Sequence, residues 1–181
     1  MGHRKIIPQS HYVTDWLDKR AKLTPERIAL IDYSDKSEIT YAGWNERVNR
    51  TANFLKSLGV KKGDRVAVYA SNRAEYLDLF WAAPKIGAML QNLNWRLTVF
   101  ELKGIIESGA PTVLIYSEDW REQLERLKPS FTTVKHVVAM THPGPQEVDF
   151  AGRDSLSAEL RDIPELTLDD RFGLAGGTGG V

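Results

Sequence analysis

Four short runs rich in apolar and β-branched residues, at 65–70, 88–93, 112–116 and 134–140, recur at a nearly constant interval with amphipathic segments between them. Their starts lie about two dozen residues apart, close to the ~30-residue scale of a strand–helix–strand unit. A strand that is apolar along its whole length must be covered on both faces, and crossover helices provide that cover for a parallel sheet. The intervening segments carry their own helix signals. Ser71 precedes Tyr76, Leu77, Phe80 and Trp81, with Pro84 placed to kink or end that helix. Thr98 and Glu101 form a capping box ahead of Leu102, Ile105 and Ile106, and Ser117 precedes Glu118 and Asp119, with Trp120, Leu124 and Leu127 as the buried stripe. The expectation is an α/β fold, a doubly wound and mostly parallel sheet with flanking helices, whose βαβ core is 65–140.

Residues 10–64 read as helix, hairpin, helix. Val13, Trp16 and Leu17 share a helical face, Thr24-Pro25 breaks it, and Ile28 to Ile31 and Glu38 to Thr40 flank a polar turn. Thr40 is placed to cap a helix whose stripe is Tyr41, Trp44, Val48, Ala52, Leu55 and Leu58, and Gly59 to end it in a left-handed conformation with Val60 making the hydrophobic contact. Residues 141–181 read as a loop over 141–150, a short helix around Leu156–Leu160, and a glycine-rich close.

Several functions are excluded by what the chain lacks. There is no cysteine, so disulfides, thiolate metal sites and cysteine nucleophiles are out. The 24 basic and 24 acidic side chains cancel, and the longest basic clusters are pairs, which argues against nucleic acid. His3, His11, His136 and His142 lack ligand spacing, so no metal site is expected on them. No apolar run is long enough to span a membrane, and the first residues lack the apolar centre of a secretory leader, so a cytoplasmic location is the expectation. No Gly-x-Gly-x-x-Gly joins an early strand to its helix, which removes a dinucleotide-binding reading.

The chemistry-bearing feature is Gly176-Gly177-Thr178-Gly179-Gly180. Glycines let successive backbone N–H groups converge on one anion, because they reach φ > 0 freely and present no Cβ to an incoming phosphate. The same composition also describes a flexible tail or linker, so these residues taken alone leave both readings open.

Over nearly its whole length the sequence resembles the adenylate-forming superfamily, in particular its AMP-forming acyl-CoA ligases such as the fatty-acid and long-chain acyl-CoA synthetases. The resemblance is carried, in order, by Thr24-Pro25-Glu26-Arg27-Ile28-Ala29-Leu30, Ile39-Thr40-Tyr41, Gly59-Val60-Lys61-Lys62-Gly63-Asp64-Arg65-Val66, Lys85-Ile86-Gly87-Ala88-Met89 and Leu93-Asn94-Trp95-Arg96-Leu97-Thr98. Asp169-Asp170 then leads into the glycine cluster, as an acidic pair leads into the family's phosphate-binding loop. The resemblance implies that Gly176, Gly177, Thr178, Gly179 and Gly180 bind the nucleotide phosphates. It also implies ATP and magnesium for the complete enzyme, coenzyme A as co-substrate, and a carboxylic acid, most naturally a fatty acid, as the group activated.

The departures shape the expectation as much as the matches. Ala175 and Gly179 stand where the family has Thr, and the Pro-Lys-Gly that would follow lies beyond Val181. The family's adenine, ribose and magnesium motifs, its hinge and its adenylation lysine have no counterpart here. The expectation is therefore a partial N-terminal, AMP-binding domain over 1–181, without catalytic residues of its own and inactive alone, whose partner is the missing remainder of a ligase or a second copy of itself. The alternative is a non-catalytic module of this fold that binds a nucleotide or a partner. Beside these stand bland readings of single residues: Trp95 as packing with Arg96 at the surface, Asn92 and Asn94 as turn residues, and Asp169-Asp170 as a turn.

Overall fold

The structure, a computed structural model, describes residues 16–33, 36–164 and 166. The elements run α1 (Trp16–Leu23), β1 (Ile28–Ile31), β2 (Glu38–Thr40), α2 (Tyr41–Ser57), β3 (Arg65–Tyr69), α3 (Ala74–Lys85), β4 (Met89–Asn92), α4 (Val99–Gly109), β5 (Val113–Tyr116), α5 (Arg121–Leu127), β6 (His136–Ala139) and β7 (Val148–Asp149). Five strands form one sheet in the order β4-β3-β5-β6-β7, and every pairing in it is parallel. β1 and β2 form a separate antiparallel hairpin, with a bulge between Ile28 and Leu30.

The double winding follows from the two-residue period of the strands. Val66, Val68, Leu90, Val113, Ile115 and Val138 point to one face, where Trp44, Val48 and Leu55 of α2 and Leu79, Ala82 and Ala83 of α3 cover them. Ala67, Tyr69, Leu114, Tyr116 and Ala139 point to the other, under Leu102 and Ile106 of α4 and Leu124 and Leu127 of α5. The α/β expectation is met.

The caps explain where the helices stop. Thr40 Oγ1 accepts from Gly43 N at 3.2 Å to open α2. At its other end Gly59 adopts φ +79, its N–H donates to Lys56 O, and Val60 N donates to Leu55 O, a Schellman closure. Thr98 and Glu101 cap α4 reciprocally, with Thr98 N donating to Glu101 Oε2 at 2.8 Å. Beyond α3, Gly87 takes φ +75 where a Cβ would lie 2.9 Å from Lys62 Cγ and 3.1 Å from Leu166 Cδ2. Pro84 sits one residue before the end of α3, consistent with its placement as a stop.

Two expectations for the C-terminal third are corrected. The segment 141–150 is not loop throughout, because Val148 and Asp149 pair with Val138 and Ala139 as β7. Leu156–Leu160 is not a helix; a 3-10 turn occupies Phe150–Ser155 instead, opened by Asp149 Oδ1 accepting from Ala151 N at 2.9 Å. The residues after it are held against α2 by side chains. Asn53 Nδ2 donates to Ser157 O at 2.8 Å and Glu159 O at 3.0 Å, and Lys56 Nζ donates to Arg161 O at 2.6 Å. Carbonyls claimed in this way are withdrawn from helical pairing.

A fully buried carboxylate joins three elements. Asp78 on α3 is 0% exposed; its Oδ1 accepts from Trp44 Nε1 at 3.0 Å, and its Oδ2 accepts from Arg47 Nη2 and Arg153 Nη1, each at 2.8 Å. Arg153 also donates to Thr51 Oγ1 at 3.1 Å and lies over the Phe150 ring. Removing one partner of a buried ion pair strands the rest, which costs about 3–5 kcal/mol. Asp78→Ala should lower the urea-unfolding free energy by that amount, whereas a loss below about 1 kcal/mol would show desolvation already cancelling the attraction.

Candidate functional site

In an open α/β sheet, ligands bind outside the carboxyl ends of the strands, where the winding reverses. Here that point lies between β3 and β5: α3 leaves β3 over one face towards β4, and α5 leaves β5 over the other towards β6. The loops that leave these two strands are Ser71-Asn72-Arg73 after β3 and Ser117-Glu118 after β5.

Arg73 carries a positive charge on the first of these loops, and it is engaged. Its Nε donates to Glu75 Oε2 at 2.8 Å, and its Nη1 lies 4.0 Å from Glu118 Oε2. Glu118 also accepts the Thr141 hydroxyl, which brings the loop after β6 onto the same site. Burial pushes the Glu75 carboxyl up, but the Arg73 hydrogen bond, its own backbone N–H and the nearby arginine charges hold it below the usual range. The Thr141 and backbone hydrogen bonds hold Glu118 below its usual range too. Both carboxylates are therefore ionised at neutral pH. They order the loops around Arg73 and offer no general acid.

Next to this polar group stands an aromatic wall. Trp95 stacks on Trp120 at 5.2 Å between centroids, Tyr69 tilts against Trp120 at 5.8 Å, and the Arg96 guanidinium lies 4.0 Å from the Trp95 ring centroid. The Tyr69 hydroxyl and Trp120 Nε1 are buried without a hydrogen-bond partner, and burial raises the Tyr69 pKa. Asn94 is the turn residue expected of it, its Oδ1 accepting from Arg96 N at 3.0 Å. Asn92 accepts the Tyr76 hydroxyl.

The loop carrying Thr141 is pinned from below by Glu147. That carboxylate, 3% exposed, accepts from Gly144 N at 2.7 Å, Tyr116 Oη at 2.8 Å, Arg121 Nη1 at 3.0 Å and Lys128 Nζ at 3.2 Å. Burial works to raise its pKa, but these four donors together bring it down to about 2. Burial and the bond to Glu147 in turn push the Tyr116 phenol well up.

Of the site residues expected from the sequence, Gly176, Gly177, Thr178, Gly179 and Gly180 all lie outside the described residues, as do Asp169 and Asp170. Arg73, Glu75, Glu118 and Thr141 escaped sequence reasoning. Only their position just after a strand could have flagged them, and that signal is shared with every polar loop residue. Among the described residues no group of three or more histidine or acidic side chains is placed to hold a metal ion. Nor, among them, is any helix long and apolar enough to cross a membrane.

With this geometry in hand, the comparisons with known proteins are consistent with one another. The family model described as AMP-binding enzyme matches residues 17–171. The chain is 33% identical over 177 residues to 3-oxocholest-4-en-26-oate–CoA ligase of Rhodococcus rhodochrous, covering 93% of this chain and 31% of that protein. It is 34% identical over 145 residues to a long-chain-fatty-acid–CoA ligase of Mycobacterium tuberculosis, covering 80% of this chain and 27% of the relative. Among solved structures, the N-terminal domain of FACL13 from Mycobacterium tuberculosis superposes with a TM-score of 0.76 at 29% identity, over 88% of this chain and 40% of that one. The chain thus spans about a third of the length of the curated relatives it matches.

The Glu147 cluster makes a pH-dependent contribution with a defined sign. Its folded pKa lies below the unfolded value of 4.5, so its stabilisation is fully present above pH 4.5 and is lost as pH falls through about 2. The loss is on the order of 3 kcal/mol. Glu147→Gln should lower stability at pH 7 and flatten the slope between pH 4.5 and 2 in urea titrations.

Proposed function

The chain belongs to the AMP-binding enzyme family, whose matched relatives are acyl-CoA ligases, and from that premise we propose that it supplies the first part of the nucleotide-binding domain of an ATP-dependent ligase for a carboxylic, most naturally fatty, acid. The single observation that carries this reading is the match of residues 17–171 to the family model. The doubly wound sheet, with its winding reversed between β3 and β5, supports it.

The proposed chemistry has two steps. A carboxylate oxygen of the acid attacks the α-phosphorus of ATP and pyrophosphate leaves; the coenzyme A thiolate then attacks the acyl carbon of the adenylate and AMP leaves. Such steps depend on neutralising and positioning negative charge. In this reading Gly176, Gly177, Thr178, Gly179 and Gly180 hold the phosphates through their main-chain N–H groups, a role supported by their composition and by their place after Asp169-Asp170. Arg73, the cation between the loops after β3 and β5, is held by Glu75 and Glu118. Adenylation accordingly needs the portion of the ligase to which this chain does not align, and the 181 residues alone are inactive.

The test is pyrophosphate release with ATP, magnesium and long-chain fatty acids. The 181-residue chain should show no sustained turnover. A chimera in which it replaces the aligned N-terminal portion of the Mycobacterium tuberculosis ligase should show acid-dependent release and form the CoA thioester. Turnover by the chain alone, or a folded chimera without acid-dependent release, would refute the reading.

A further inference from the structure

We propose that the cleft between α1, α2 and α3 is a binding site for an anionic amphiphile, a hydrocarbon chain headed by a carboxylate. The cleft shares no residue with the loops after β3 and β5, and the inference stands whether or not the ligase reading holds.

The cleft has a volume of about 590 Å³, within the roughly 300–1,000 Å³ of small-molecule sites. Leu17 and Trp44, both buried, form its bottom, and Trp81 of α3 closes one side, meeting Trp44 edge-on at 6.2 Å. Trp44 Nε1 already donates to Asp78, whose charge is matched by Arg47 and Arg153, so this indole offers the cleft its ring and no spare donor. Trp16 and Leu23, 58% and 75% exposed, stand at the edge, seven residues apart and therefore on one side of α1.

The charge of the lining comes from Lys19 and Arg20. Arg20 is half-buried, with its guanidinium 5.2 Å from the centroid of the Tyr41 ring. Arg47, Arg73, Arg121 and Arg153 each reach a carboxylate, whereas Arg20 makes no ion pair among the described residues. Asp18, the one carboxylate of α1, is not part of the lining; it holds Lys22 at 2.7 Å and accepts from Asn45 Nδ2 at 3.3 Å. A cation partly withdrawn from water between aromatic rings, with no carboxylate in the walls, is matched by an anion brought from outside.

The walls also set the body of the ligand. Apart from the Tyr41 hydroxyl, the lining side chains offer no hydrogen-bond acceptor. A nucleobase or a peptide backbone has N–H groups that must be accepted, and finds almost nothing here to accept them. A hydrocarbon chain asks only for apolar surface along its length and for donors at its acidic end, which is what Leu17, Leu23 and the indoles supply beside Arg20.

The test is a titration of the 181-residue chain with dodecanoate below its micelle concentration, followed by calorimetry and by tryptophan quenching with a bromine-labelled dodecanoate. Saturable binding with quenching is expected, and dodecanol, which lacks the charge, should bind about tenfold more weakly. Arg20→Gln should weaken dodecanoate binding by about tenfold as well, and Arg20→Lys by much less. Leu23→Asp alters only an exposed edge of the cleft and should weaken binding at least as much as Arg20→Gln. Phe100→Asp, on α4 across the sheet and 87% exposed, should leave it unchanged. Absence of saturable binding overturns the inference, as does equal affinity for dodecanol or equal response to all the substitutions. Sedimentation with phosphatidylglycerol vesicles without uptake of the monomer also overturns it, since that assigns α1 to a bilayer surface. So does a folded chimera, of the kind described above, that no longer binds dodecanoate, since the rest of the ligase then covers the cleft.

Discussion

One carboxylate determines how the helical layer sits on the sheet. Asp78 is completely buried, and a charge in that position is tolerated only when opposite charge and hydrogen bonds surround it. Trp44 and Arg47 come from α2 and Arg153 from the 3-10 turn more than seventy residues later, so one side chain ties the three segments together. The aromatic contacts follow this arrangement. Trp44 meets Trp81 edge-on at 6.2 Å and Phe54 meets Phe150 at 5.5 Å, both between the segments that the carboxylate joins. The turn at Phe150–Ser155 can thus close one side of the core despite belonging to no helix of its own.

Much of this architecture was legible in the residues, because the signals were local. The four core strands announce themselves by continuous apolar composition, and Thr40, Gly59 and the Thr98–Glu101 pair act within three or four residues of their targets. What escaped was set by distant partners. β7 is two residues long and exists because Val138 and Ala139 offer it an open edge. The stretch after Ser155 has helix-compatible residues, yet Asn53 and Lys56, roughly a hundred positions earlier, take its carbonyls. No window-based reading sees either.

The candidate site divides along the same line. The glycine cluster is conspicuous in one dimension because glycine composition is a local property. The Arg73–Glu75–Glu118–Thr141 group is assembled by three separate loops and has no linear signature. With one arginine between two carboxylates, it ties these loops to one another. The aromatic contacts from Trp95 through Trp120 to Tyr69 pack beside it. Two carboxylates with lowered pKa values therefore occupy the place where catalytic groups are commonly sought, yet each shift is accounted for by loop ordering.

Gly87 shows how intolerance to substitution can mislead. It is left-handed where it releases the chain from α3, and Lys62 and Leu166 fill the space a Cβ would take. An L residue there meets torsional strain and steric overlap together, and Asn or Asp eases only the first. Selection against replacements at this position, a profile usually credited to chemistry, would in this chain report how β4 is brought into line with β3.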